Sequence, residues 1–366
     1  MSASRSAIGE LRTDQLDGLR CLAFLMVFFF HFKAPADYTV PVMIQAQGWV
    51  GVEVFFALSS FLLFRLFDQE QVRTGTISIS RFFVRRLLRI YPLMVLFPLA
   101  MLLVYGADNP AAYGWLLGVI SFVGNYIYWF PEVGWSLRYT GQLWSLCYEF
   151  QIYLFLPFLF LIYLKVGERA LAAALLCILP LCLLGRAAFV LSGLSFQMIY
   201  MTPFLRPEAT VAGILVAMGV TRKFPLPMVA AAFLSSGVAL IVLPHDQTLG
   251  GPVYVFLLAG IFAGSLLHLA LYAQSLASLL RWPPLAYLGT ISFGLYVFHP
   301  WSFEEGKLLL GMVHIPETYV ATCLAGLAHC ILLATLSYRL LELPLLRLKP
   351  RHARPNTAQG AEVAAT

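Results

Sequence analysis

The sequence predicts an all-α membrane protein, a polytopic bundle of about ten transmembrane helices. Of its 366 residues, 60% are hydrophobic and only 11% are charged, whereas soluble proteins carry about 25% charged residues. Apolar stretches recur along the whole chain, and short connectors that hold most of the Lys and Arg separate them. These observations exclude a soluble enzyme, a disordered scaffold and a disulfide-stapled secreted domain.

Ten apolar stretches are long enough to cross a bilayer, some of them with help from their flanks. They lie near 16–33, 49–67, 88–105, 143–164, 170–191, 207–221, 226–243, 252–273, 284–303 and 318–341. We therefore expect one membrane-embedded domain over residues 1–349. The stretch 350–366 is rich in Ala, Pro and polar residues without an apolar period, which predicts a disordered cytoplasmic tail.

An eleventh apolar stretch, 113–130, is interrupted by glycines and an asparagine. The distribution of basic residues decides whether it crosses, because cytoplasmic loops are enriched in Lys and Arg. If it crossed, Arg222, Lys223 and the basic C-terminus would lie outside. We therefore predict that 106–142 stays at the outer face and that both termini are cytoplasmic.

The formal net charge of +6 does not indicate a nucleic-acid partner. A nucleic-acid-binding protein concentrates its Lys and Arg in a patch, whereas here they lie between apolar stretches. The six cysteines lie in or beside those stretches, and no Cys or His spacing is typical of a metal site. The sequence therefore predicts a multi-pass protein of the plasma membrane, with the lipid bilayer as a partner and with neither metal nor nucleic acid bound.

An ionisable side chain within an apolar span is costly, so each one is a functional candidate. Arg20 and His31 lie eleven residues apart, which places them near one face of a helix and roughly 16 Å apart along its axis. Imidazole can act as a general base because its ordinary pKa lies near neutral pH. The alternative is a histidine at the outer end of a span, in contact with headgroup water.

The connector 65–91 holds six arginines, four of them in RFFVRRLLR. One interpretation is an anchor on anionic lipid. The other is a platform for a phosphorylated ligand such as acyl-coenzyme A, because guanidinium groups bind phosphate through two hydrogen bonds. The arginines nearest the following span are Arg85, Arg86 and Arg89.

Three further ionisable groups occur in apolar surroundings. Glu149 lies in LWSLCYEFQIYLFLP, and a carboxylate at that depth needs a partner, a proton or a water-filled cavity. Glu53 in GVEVFFALSSF and His299 in ISFGLYVFHP raise the same question.

Together these segments resemble acyltransferase family 3, the integral-membrane acyltransferases that modify bacterial glycans. The likeness covers about residues 14–350 and rests on LDGLRCLAFLMVFFFHF, GVEVFFALSSFLLFRLF, RFFVRRLLRIYP, LWSLCYEFQIYLFLP and ISFGLYVFHP, in the expected order. The first segment keeps the basic residue and the histidine of the family's first span. Two positions depart from the family pattern: Phe150 replaces a second acid and Ser60 replaces a glycine.

The resemblance implies a membrane O-acyltransferase of the bacterial inner membrane. It would move an acyl group, above all acetyl, from cytoplasmic acyl-coenzyme A to a hydroxyl of a cell-surface or exported glycan. Acyl-coenzyme A is then a co-substrate, and no cofactor is bound permanently. The predicted roles are catalysis for His31 and Glu149, with Glu149 orienting His31; coenzyme A binding for Arg20, Arg85, Arg86 and Arg89; and substrate binding for Glu53, Trp144, Ser145, Tyr148 and His299.

Other functions fit the same pattern. A transporter or flippase for a lipid-linked glycan also places polar residues in its spans, and a non-catalytic membrane subunit could use buried charges to hold spans together. A second class of membrane O-acyltransferases fits less well, because its characteristic histidine lies late in the chain. His31 as a general base and His31 as a transient acyl carrier are both compatible with the sequence, as are several acyl groups, acceptors and oligomeric states.

Overall fold

The computed structural model describes residues 14–32, 45–106, 110–130, 137–243 and 250–348. Within these ranges the chain is helical and contains no β-strand, so the predicted all-α class is confirmed. The predicted cytoplasmic tail 350–366 and most of the N-terminal flank lie outside the described residues.

The described residues form fourteen α-helices. They are α1 (Asp14–His31), α2 (Val50–Thr74), α3 (Ile79–Tyr105), α4 (Ala111–Ile120), α5 (Trp144–Leu191), α6 (Phe196–Met201), α7 (Glu208–Met218), α8 (Leu226–Val242), α9 (Gly250–Tyr272), α10 (Gln274–Leu280), α11 (Pro283–Thr290), α12 (Ser292–Met312), α13 (Tyr319–Ser337) and α14 (Leu343–Arg347). Short 3-10 helices lie at Gly124–Trp129, Gly141–Leu143, Pro203–Leu205 and Val220–Lys223, and Tyr338–Glu342 is a π-helical turn.

Five of the described helices are long and apolar enough to cross a membrane, by length and composition. They are Val50–Thr74, Ile79–Tyr105, Gly141–Leu191, Gly251–Tyr272 and Tyr319–Arg347. Such helices make the chain a membrane protein, while the predicted number of about ten spans stays a prediction. Two predicted spans, 143–164 and 170–191, form one long helix, α5, that is interrupted at Gly167 (φ 80°).

The segment predicted to stay at the outer face begins with a short helix. α4 contains ten residues and is therefore about 15 Å long, half of what a bilayer core requires. The 3-10 turn that follows packs against α4. α4 alone is thus too short to cross, and the place of 106–142 at the outer face stays a prediction.

α3 begins nine residues before the predicted apolar stretch, at Ile79. The arginines of RFFVRRLLR were predicted to lie in a connector, but they lie on a helix. Residues three or four apart share a helix face, so Arg81 and Arg85 form one pair and Arg86 and Arg89 another. The two pairs point to different surroundings, which matters for the site.

α1 lies at the centre of the bundle and is packed closely on its neighbours. A Cβ atom on Gly18 would lie 2.0 Å from the Leu280 carbonyl oxygen, and one on Gly289 would lie 1.7 Å from the Asp17 carbonyl oxygen. Only glycine permits helices to approach this closely. At the other end of α1, the rings of Phe28 and Phe303 pack with centroids 5.0 Å apart. α1 is thereby fixed against α10, α11 and α12.

Candidate active site

Two cavities lie along α1. Arg20 lines one of them and His31 lines the other. The first cavity, about 470 Å³ in volume, contains Arg20 and is here called the arginine cavity. The second, about 330 Å³, contains His31 and is called the histidine cavity. Because Arg20 and His31 are eleven residues apart, their backbone positions are roughly 16 Å apart along the helix axis.

The arginine cavity has an excess of positive charge. Arg20, Arg86 and Arg89 line it together with a single carboxylate, that of Glu149. Arg20 also donates a hydrogen bond to the Asp17 carboxylate. Arg86 and Arg89 make no ion pair with a carboxylate among the described residues. Two guanidinium groups are thus available to an anionic ligand.

Arg85, also predicted to bind coenzyme A, lies on the other face of α3. Its guanidinium is 3.7 Å from a carboxylate oxygen of Glu70, and Arg81 is 3.2 Å from the other oxygen of that carboxylate. Arg85 does not line either cavity. Its ion pair points to a structural role in holding α3 against α2.

Glu149 is held by two hydroxyl groups at the wall of the arginine cavity. Ser59 donates a hydrogen bond to its carboxylate, and Tyr153 donates another at 2.5 Å. Glu149, predicted to orient His31, lines a different cavity from that histidine. A catalytic role of Glu149 stays a prediction. A different residue lies next to His31.

That residue is His299 on α12, which is fully buried. Its Nε2 lies 3.3 Å from Nδ1 of His31, and its Nδ1 lies 2.7 Å from the Tyr296 carbonyl oxygen. A carbonyl oxygen only accepts hydrogen bonds, so His299 carries its proton on Nδ1 and accepts at Nε2. His31 then donates from Nδ1, which also lies 3.0 Å from the Val27 carbonyl oxygen. In the neutral ring, the lone pair of His31 is therefore on Nε2.

The two cavities share a wall. Val52 of α2 and Tyr296 of α12 line both of them. The Tyr296 hydroxyl is hydrogen-bonded to that of Ser145 at 2.5 Å and lies 3.3 Å from the Gln142 carbonyl oxygen. Ser145 itself lines the arginine cavity. Side chains of α2 and α12 therefore border both the arginine cavity and the histidine cavity.

The other predicted substrate-binding residues divide into two groups. Trp144 lines the histidine cavity. Glu53 and Tyr148 line neither cavity: the Glu53 carboxylate pairs with the Arg206 guanidinium, and the Tyr148 hydroxyl donates to the Arg206 carbonyl oxygen at 3.0 Å. Arg206 is fully buried and its guanidinium carbon lies 4.2 Å from the centroid of the Tyr200 ring.

Comparison with known proteins assigns this chain to a family. The profile of the family Acyl_transf_3, described as Acyltransferase domain, matches residues 13–338. The chain belongs to this acyltransferase family. No solved structure matches it.

Relatives of this family member carry O-acetyltransferase names. The peptidoglycan O-acetyltransferase OatA of Listeria monocytogenes is 24% identical over 364 residues, 90% of this chain and 55% of the relative. The O-acetyltransferase OatA of Staphylococcus aureus strain NCTC 8325 is 25% identical over 358 residues, 90% of this chain and 56% of the relative. The chain spans less than two thirds of the length of these relatives.

The candidate site of this acyltransferase also contains residues that were not predicted from the sequence as site residues. Tyr296 lies one helical turn before His299, so the spacing of ISFGLYVFHP could have revealed it. Ser59 stands in a segment that was singled out for Glu53. Tyr139 and Tyr200 line the histidine cavity but carry no signal in the sequence, because aromatic residues are frequent throughout the chain.

Glu53 is expected to contribute to stability and not to substrate affinity. Glu53→Gln removes the partner of a buried guanidinium, and breaking such a pair costs about 3–5 kcal/mol. Thermal unfolding in detergent should show a clearly lower Tm, whereas the folded fraction keeps its KM for the acceptor. Glu304→Gln is the matched control, because its pair with Lys307 is exposed and worth at most about 1 kcal/mol. An unchanged Tm with a raised KM would instead make Glu53 a substrate-binding residue.

Proposed function

We propose that this protein is a membrane O-acyltransferase that takes an acyl group, above all acetyl, from acyl-coenzyme A to a hydroxyl of a cell-surface or exported glycan. One observation carries the proposal: α1 presents a cation-rich cavity and a histidine-containing cavity that share a wall of side chains. A donor with several phosphates fits the first cavity, and a hydroxyl that must lose a proton fits the second.

The arginine cavity supports the donor assignment through charge and shape. Arg86 and Arg89 lie at neighbouring positions on α3, where their planar guanidinium groups can each hold a phosphate by two hydrogen bonds. Apolar side chains line the rest of the cavity, among them Phe55, Leu62 and Ile90. The phosphates would bind at the arginines, and the pantetheine arm would extend along the apolar wall toward Tyr296.

His31 supplies the acid-base chemistry. Its Nε2 removes the proton from the acceptor hydroxyl as that oxygen forms a bond to the thioester carbonyl carbon. The carbon–sulfur bond then breaks, and the imidazolium returns the proton to the departing coenzyme A sulfur. The balance is one ester and one thiol formed from one thioester and one hydroxyl. His299 holds His31 in the required tautomer, as a carboxylate does for other catalytic histidines.

The orientation in the membrane follows from the same two cavities. The N-terminal half of α3 and the Arg20 part of α1 bring their basic residues to the arginine cavity, and basic residues accumulate on the cytoplasmic side. We propose a multi-pass protein of the bacterial inner membrane with the arginine cavity toward the cytoplasm. Acyl-coenzyme A then enters from the side where it is made.

The shared wall offers a direct test. Val52 is 5% exposed and lines both cavities, so Val52→Phe fills the place where the acyl group must pass. Purified protein in detergent would be given acetyl-coenzyme A and a crude cell-envelope glycan extract, and free coenzyme A would be measured. We expect acceptor-dependent release from the wild type and at least tenfold less from Val52→Phe.

Binding measurements complete this test. The affinity of Val52→Phe for acetyl-coenzyme A should stay within about threefold of the wild type, and Val52→Leu serves as the milder control for packing changes. Release by Val52→Phe at the wild-type rate would show that the acyl group does not pass this wall. Neither release nor binding of acetyl-coenzyme A by the wild type would contradict acyl transfer from this donor and favour transport.

A further inference from the structure

Tyr139 has an unusual backbone conformation in the histidine cavity. Its φ angle is +60°, in the left-handed region that glycine and asparagine adopt readily and that costs free energy for a bulky residue. Among the described residues other than glycine, only Phe122 and His314 share this property. Of these three residues, Tyr139 is the one that lines the histidine cavity.

The surrounding structure holds Tyr139 in this conformation. Leu137 is 4% exposed and Thr140 is fully buried. The Thr140 hydroxyl donates to the Leu137 carbonyl oxygen at 2.8 Å and accepts from the Trp115 indole at 2.8 Å. With Leu137 and Thr140 fixed on either side, the turn directs the Tyr139 side chain into the cavity. Its ring packs edge-on against Tyr105, with centroids 5.4 Å apart.

The histidine cavity is lined mainly by aromatic rings. They belong to Phe30, Trp49, Tyr139, Trp144, Tyr200 and Tyr296. Few polar groups accompany them, chiefly His31 and Gln142. A ligand that presents flat apolar faces together with hydroxyl groups at its edge matches this lining, because aromatic faces pack against C–H groups while hydroxyls reach the polar groups. A pyranose ring has this chemistry.

We propose that Tyr139 is the stacking platform for the sugar ring whose hydroxyl is acylated, and that the strained turn exists to hold it there. This proposal rests on the proposed function for the identity of the reaction, but sugar binding by the cavity can be tested without any transfer. The Tyr139 ring would contact one face of the sugar, which leaves an edge hydroxyl toward Nε2 of His31. Backbone strain at a binding residue is retained when it positions the side chain.

The test uses a substitution that removes the ring and relieves the strain together. Binding of chitotetraose, maltotetraose and xylotetraose to the purified protein would be measured by calorimetry in detergent. We expect the wild type to bind at least one of them, Tyr139→Asn to bind it at least tenfold more weakly, and Tyr139→Phe to bind it within about threefold of the wild type. Tyr139→Asn should also have a Tm equal to or above that of the wild type, because asparagine tolerates this conformation.

His314→Asn is the matched control. His314 has a φ angle of +55° and is exposed, outside both cavities, so its replacement relieves strain without touching the site. It should leave sugar binding unchanged.

Three results would overturn the proposal: no binding of any of the sugars by the wild type, equal binding by Tyr139→Asn, or a loss in Tyr139→Phe as large as in Tyr139→Asn. Sugar binding without coenzyme A release would reject the proposed reaction and keep the sugar site.

Discussion

His31→Ala should lower kcat for acceptor-dependent release of coenzyme A by about 10²–10⁴-fold, the range that a positioned general base contributes. That loss corresponds to about 2.7–5.4 kcal/mol of transition-state stabilisation. His31 lies in the histidine cavity and not in the arginine cavity, so the Kd for acetyl-coenzyme A should change by less than about threefold. Rates would be measured by thiol detection of free coenzyme A, and the Kd by direct titration.

His314→Asn controls for the loss of an imidazole elsewhere and should retain the wild-type rate. The Tm of His31→Ala should fall only modestly, because His31 is exposed at the end of α1 and the main loss is its hydrogen bond to the buried His299. A variant that is folded, binds acetyl-coenzyme A and transfers at the wild-type rate would exclude His31 as the base. His299, its neighbour at 3.3 Å, would then be the next histidine to replace.

Replacing Arg86 and Arg89 together by glutamine should weaken acetyl-coenzyme A binding by about 100-fold or more. A hydrogen bond to a charged group contributes about 1.5–3 kcal/mol, and each 1.4 kcal/mol is tenfold in Kd. The effect should appear in the KM for acetyl-coenzyme A, with a smaller change in kcat, because these residues hold the part of the donor that does not react.

Arg85→Gln provides a control on the same helix with the same type of substitution at a single position. Its side chain faces Glu70 and not the cavity, so the Kd should stay within about twofold. Salt should separate the variants further: raising NaCl weakens an interaction between separate charges, so wild-type affinity should fall with salt more steeply than that of the double variant. Equal losses in Arg85→Gln and in the double variant would indicate a general effect of charge and would contradict a phosphate site.

The helical class and the most informative residues could be predicted from the sequence, because both depend on local patterns. The eleven-residue interval between Arg20 and His31 fixes their relation on a helix whatever surrounds it. The structure adds that Arg20 lines the arginine cavity and His31 lines the histidine cavity. The separation of Arg85 from Arg86 also follows from helical geometry, once α3 is known to begin at Ile79.

The partners of the charged groups could not be predicted, because they come from distant parts of the chain. Glu149 was assigned to His31 for chemical reasons, whereas packing brings Ser59 and Tyr153 to its carboxylate. Arg206 carries no signal in the sequence and lies buried beside Glu53. The strained turn at Tyr139 depends on the burial of its neighbours, and no single-residue preference indicates it.

The ion pair between Glu53 and Arg206 also has a consequence for biosynthesis. The two residues are 153 positions apart, so at about 5–20 residues per second Glu53 is made roughly 8–30 s before its partner. An unpaired carboxylate is costly in lipid, so α2 is less stable in the bilayer until its partner arrives. We expect α2 to remain beside the insertion machinery, or in contact with water, until the segment that carries Arg206 arrives. Arrival of that segment then becomes the step that commits the bundle to its final packing.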